Sequence, residues 1–110
     1  MTLTVVIPCY REASRGSGPT SFENRLLLVK NQLESIDYRV ILSDDGSTDD
    51  SVQVFKRFVE EHNLEATWCC LETDVNRGKG TAVLRGILAA NTDFVLVLDA
   101  DMRRSCLTAI

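Results

Sequence analysis

Four apolar runs alternate along the chain with three stretches whose apolar residues recur at helical spacing. The pattern predicts strand, helix, strand, helix, strand, helix, strand. The runs are Leu3–Cys9 (LTVVIPC), Tyr38–Ser43 (YRVILS), Ala66–Leu71 (ATWCCL) and Asp93–Asp99 (DFVLVLD), rich in branched and aromatic residues. Strands that are apolar nearly throughout and separated by helices belong to a parallel sheet covered on both faces. The fold class expected is therefore α/β, a doubly wound, mostly parallel sheet with about four strands and three intervening helices.

The first helix falls in TSFENRLLLVKNQLES, with Leu26, Leu27, Val29, Lys30 and Leu33 on its face and the capping-box spacing at Thr20 and Glu23. The second runs from about Asp50 to His62, with Val52, Phe55, Phe58 and Val59 as its stripe and Thr48 or Asp49 as its cap. The third, from about Lys79 to Ala90, is expected to bury Ala82, Val83, Ile87 and Ala89 or Ala90. Between the first strand and its helix, REASRGSGPT reads as a loosely held Gly/Ser/Pro loop.

A chain of 110 residues with 45% hydrophobic and 25% charged residues supports one modest core, hence one domain. No apolar run approaches the roughly 20 residues that span a bilayer. The N-terminus lacks the basic-then-apolar layout of a secretory signal, and a soluble, cytoplasmic protein is expected. A net charge of -4 argues against a nucleic-acid surface, so any anionic ligand must be held by local chemistry. Cys9, Cys69, Cys70 and Cys106 form no C-x-x-C pair and read as reduced structural thiols, the adjacent pair as core filling, with no zinc site. His62, the one histidine, falls near a helix end, reads as a surface residue and receives no catalytic role.

In an open parallel sheet, ligands bind outside the carboxyl ends of the strands. Those positions read PCYRE, SDDGSTDD and DADM, with NRGKGTA opening the third helix. A turn and helix cap need one aspartate, whereas SDDGSTDD offers four: Asp44, Asp45, Asp49 and Asp50. Strand alternation places Asp99 and Asp101 on one side of the chain with Ala100 between them, so both carboxylates can converge on one hard divalent cation. In NRGKG, Gly78 and Gly80 flank Lys79 at a helix start, which gives close backbone approach and a positive dipole end suited to phosphate. At the first strand's exit Tyr10 offers a ring for a nucleobase and Glu12 an acceptor for ribose hydroxyls, while Pro8 either lines the same place or only ends the strand.

Together VVIPCYRE, SDDGSTDDS, NRGKGTAVLRGILAA and FVLVLDADM resemble the N-terminal half of a family-two glycosyltransferase with the Rossmann-like GT-A fold, in particular the dolichyl- and polyprenyl-phosphate sugar transferases. The resemblance covers the chain to about Met102. It implies a nucleotide-diphosphate sugar as donor, UDP- or GDP-linked, and a cofactor of Mg²⁺ or Mn²⁺. It implies that Pro8, Tyr10 and Glu12 line the nucleotide pocket and that Asp45, or Asp44, reads the base. Lys79 would approach the nucleotide or its phosphates. Asp99 and Asp101 would form the D-x-D element on the metal, with Ala100 contributing backbone.

In that family the general base and acceptor surface follow the D-x-D, where this chain has only RRSCLTAI. The expectation is thus a donor-binding half-domain over residues 1–110, truncated after the D-x-D, inactive alone and prone to self-association through an exposed sheet edge. The alternative is a non-catalytic interaction or regulatory module that keeps the fold without the ligand. A phosphorylatable receiver domain fits poorly, because its acids follow the first and third strands rather than the second and fourth.

Overall fold

The structure, a computed structural model, describes residues 2–99. Its elements run β1 (Leu3–Cys9), α1 (Phe22–Gln32), β2 (Tyr38–Asp44), α2 (Ser51–Glu61), β3 (Trp68–Leu71), α3 (Lys79–Ala89) and β4 (Phe94–Val97), with short 3-10 turns at Glu12–Ser14 and Gly18–Thr20. The strands form one sheet in the order β3-β2-β1-β4, with every pairing parallel. Winding proceeds outward from β1 to β3, then returns to place β4 on the other side of β1. The direction of winding across the sheet reverses beside β1, and a crevice opens at such a switch point.

Alternation divides the sheet. Val5, Ile7, Cys9, Val40, Leu42 and Trp68 face α1 and α2 and build the main core with Phe22, Leu26, Val29, Leu33, Phe55, Phe58 and Val59. Trp68 packs against Phe55 and Phe58, and its indole N–H donates to the Tyr38 hydroxyl at 2.9 Å, which satisfies the one polar atom the ring brings inside. The opposite face carries Val6 and Ile41 under α3. Here the contact is made by small residues: Ala82 and Gly86 are the buried positions of α3, and a Cβ at Gly86 would collide with the Val6 side chain. The glycine therefore sets how closely α3 lies on the sheet.

Several expectations are corrected. In α1 the cap is Ser21, whose hydroxyl accepts from the Asn24 N–H at 3.2 Å, while Thr20 is used in the preceding 3-10 turn. Asp50 occupies the N-cap position of α2, but Asp49 accepts the Ser51 N–H at 3.0 Å and its hydroxyl at 2.6 Å. Burial works to raise the pKa of Asp49, yet the hydrogen bonds from Ser14 and Ser51 outweigh it and hold the carboxyl below its ordinary range. β3 starts at Trp68 because Thr67 closes a turn on Leu64. Of the adjacent pair, Cys69 is exposed rather than core filling and Cys70 packs against the core. Ile87 and Ala89 of α3 are exposed, as are Leu84 and Leu88, the last at 75%.

The sheet is not covered on both faces along its whole width. Phe94 is 54% exposed, and Val95 and Val97 are also exposed, while Leu96 packs against the main core. An apolar run records only that a strand is apolar, not which element covers it.

Candidate functional site

A cleft of about 380 Å³ opens at the carboxyl ends of β1, β2 and β4, lined by Pro8, Cys9, Tyr10, Glu12, Arg15, Asp45, Asn76, Gly78, Lys79, Ala82 and Asp99. Its origin lies in one residue. Val6 accepts the Leu98 N–H at 2.9 Å, so the next rung of the β1–β4 ladder would come from the N–H of residue 8. Pro8 has none, the ladder stops, and the two strands part between Pro8 and Asp99.

On the β1 side the chain turns sharply at Arg11, which adopts the left-handed conformation (φ 55°) and donates its N–H to the Ser47 hydroxyl at 2.9 Å. This delivers Glu12 to the cleft, with a side chain only 6% exposed. Its carboxylate is already paired: Oε1 with Arg25 Nη1 at 2.7 Å and Oε2 with Arg15 Nη1 at 3.3 Å. Arg25 also donates to the carbonyls of Glu12, Arg15 and Thr20. The segment that reads as loosely held is thus two 3-10 turns gathered around one guanidinium reaching from α1. Asp49 adds a second tie, accepting both the N–H and the hydroxyl of Ser14.

The paired aspartates after β2 divide their work. Asp44 bonds the hydroxyl and N–H of Ser47 at 2.5 and 3.0 Å, a self-contained turn, and it is not among the residues lining the cleft. Asp45 does line it, 4% exposed, and its own N–H continues the sheet to the Cys9 carbonyl at 2.8 Å. Its carboxylate accepts the N–H groups of Arg77 at 2.8 Å and Gly78 at 2.9 Å. The NRGKG loop is therefore pinned against β2, assisted by Gly46 (φ 75°), where a Cβ would come within 2.9 Å of Val75 and Asn76 backbone atoms. Arg85 of α3 ties the same region by donating to the carbonyls of Asp44 and Glu72.

Lys79, the first residue of α3, forms an ion pair across the cleft with Asp99. Pro8, Tyr10, Glu12, Asp45, Lys79 and Asp99 are thus brought together, from chain positions that span most of the described sequence. Ala100 and Asp101 lie outside the described residues. Among the described residues, no group of three or more His, Cys, Asp or Glu side chains is placed to hold a metal ion. Asp99 supplies one hard oxygen donor whose side chain is 47% exposed, and its neighbour Lys79 shows that the position accepts positive charge. Cys9 is no nucleophile: burial, with the negative charge of Asp44 next in weight, pushes its thiol up to about 12. His62 lies exposed at the end of α2, against the Phe58 ring, and remote in sequence from the cleft.

Arg15 and Arg25 escape sequence reasoning, and Asn76 enters it only as the first residue of NRGKG. Arg25 lies on the first helix, one position before Leu26 of its buried stripe, and an arginine reaching thirteen residues back leaves no periodic trace. Arg15 falls in a stretch whose Gly/Ser/Pro content signals only a turn.

The model described as Glycosyl transferase family 2 matches residues 4–103. A dolichyl-phosphate beta-glucosyltransferase from Dictyostelium discoideum is 32% identical over 100 residues, which are 90% of this chain and 30% of that protein. A poly-beta-1,6-N-acetyl-D-glucosamine synthase from Staphylococcus epidermidis is 28% identical, over 90% of this chain and 21% of its own. The chain therefore spans less than a third of the length of these relatives. Among solved structures, a mannosyltransferase from Pyrobaculum calidifontis in complex with GDP-Man and Mn²⁺ superimposes with a TM-score of 0.65 at 25% identity, covering 90% of this chain and 27% of that one. A parallel sheet whose winding reverses at a polar cleft, with a family match along nearly its whole length, gives the conclusion that this chain belongs to glycosyltransferase family 2.

Proposed function

We propose that the chain carries the donor-binding part of a glycosyltransferase, holding a nucleotide-diphosphate sugar, UDP- or GDP-linked, with Mg²⁺ or Mn²⁺. The observation that carries this reading is the convergence of Pro8, Tyr10, Glu12, Asp45, Lys79 and Asp99 in the cleft at the strand ends. Tyr10 lays its ring along the base, Glu12 and Asp45 face the nucleoside, and Lys79 at the start of α3 meets the diphosphate. Asp44 supports the turn beside them. Asp99 and Asp101 would hold the metal, with the Ala100 backbone between them. The metal would supply charge to offset the departing nucleoside diphosphate. No described residue is assigned as the general base for an acceptor hydroxyl, and the reading is one of donor binding.

Three described cysteines are free thiols, which suits the reducing cytoplasm. The site is expected to work there.

Titration calorimetry with UDP and GDP, each with and without Mn²⁺, tests the donor site. Metal-dependent binding is expected, and it should vanish when Asp99→Ala is combined with Asp101→Ala. A folded chain that binds neither nucleotide would sink the reading.

Self-association is expected as well. The apolar β4 edge and the outward Leu84 and Leu88 of α3 form the surface for a second copy of the chain. Gel filtration across a concentration series should show growth in apparent size, and a monomer throughout would refute it.

A further inference from the structure

The charges around the cleft do not pair one to one. Asp99 carries Lys79. Asp45 is satisfied by two backbone N–H groups. Glu12 carries two arginines, and they are not equivalent. Arg25 is 11% exposed and holds Oε1 at 2.7 Å, whereas Arg15 is 65% exposed and stands 3.3 Å from Oε2. Were Arg15 to leave, Glu12 would remain neutralised by Arg25.

The main chain of Arg15 is meanwhile fixed. Its N–H donates to the Glu12 carbonyl at 3.1 Å, and its carbonyl accepts from Arg25 Nη2 at 3.2 Å. A pinned backbone with an exposed side chain at the rim of the cleft makes an arm of defined reach. The exposed contact to Glu12 contributes little, so releasing it costs little. A guanidinium meeting phosphate oxygens gains paired, charge-assisted hydrogen bonds that a single carboxylate oxygen at 3.3 Å does not give it.

We propose that Arg15 is a second cationic contact for the donor, exchanging Glu12 for the anionic diphosphate of the nucleotide when the cleft fills. This rests on the donor-site reading above. It adds to Lys79 a residue outside the four sequence motifs, supplied by the Gly/Ser-containing loop.

The test is calorimetry of UDP and GDP in Mn²⁺ on the wild-type chain, Arg15→Gln and Arg15→Lys, repeated at several salt concentrations. For whichever nucleotide the wild type binds, Arg15→Gln is expected to bind about tenfold more weakly, with a shallower salt dependence, and Arg15→Lys to recover part of the loss. Thermal unfolding of Arg15→Gln should match the wild type, because Arg25 stays on Glu12. Unchanged nucleotide affinity in Arg15→Gln overturns the proposal. So does a weaker affinity with an unaltered salt slope, which would assign the residue to holding the loop. A wild-type chain that binds neither nucleotide overturns the donor site itself, and the role of Arg15 with it.

Discussion

An Arg25→Ala chain is expected to lose about 3–5 kcal/mol of unfolding free energy, the usual cost of stripping one partner from a buried ion pair. Glu12 would be left 6% exposed with only the solvent-facing Arg15 beside it, and the carbonyls of Glu12, Arg15 and Thr20 would each lose a donor. Urea unfolding measures the change directly. The companion variant Glu12→Gln, Arg25→Met separates the causes: removing both charges should recover much of the loss, since the penalty lies in the orphaned carboxylate. A single Arg25→Ala within about 1 kcal/mol of wild type would show that the loop is held by its 3-10 turns alone.

Asp45→Ala should cost about 2–4 kcal/mol and abolish nucleotide binding. Each of its two hydrogen bonds joins a carboxylate to a main-chain N–H, a charge-assisted kind contributing about 1.5–3 kcal/mol; the Arg77 N–H would be left without a partner, while the Gly78 N–H would keep only the Asn76 side-chain oxygen at 3.1 Å. The binding loss follows from geometry, because Arg77 and Gly78 lead directly into Lys79. Asp45→Asn discriminates between the bonds: its amide offers one acceptor oxygen for two N–H groups, so about half the destabilisation is expected. An Asp45→Ala unfolding midpoint equal to that of the wild type would mean that neither N–H depends on this side chain.

The strands were legible because each is a short run of branched residues between polar turns. β1 spans Leu3–Cys9 as read, and β2 differs only by including Asp44. What covers them was not legible. β4 has the same composition as its neighbours, yet it lies at an edge and exposed. For α3 the period rightly gave Ala82 as buried, but it also selected Ile87 and Ala89, which are exposed, and it passed over Gly86, which close approach to Val6 selects. The cleft residues at strand ends could be found from topology alone, since a parallel sheet gathers them at one edge. Separating Asp44 from Asp45 required knowing where the NRGKG loop docks. Finding Arg25 required a contact between a helix and a turn thirteen residues before it.

The close seating of Gly86 on Val6 gives α3 a fulcrum. Lys79 lies seven residues, about 10 Å, toward the open end of the same rigid rod, and it leads the helix over the cleft. A methyl group inserted under the fulcrum would lift the rod and swing its tip, although no atom near the ligand had been altered. On the donor-site reading, nucleotide affinity would therefore be adjustable by leverage from farther along the same helix, where residue volume takes the place of chemistry.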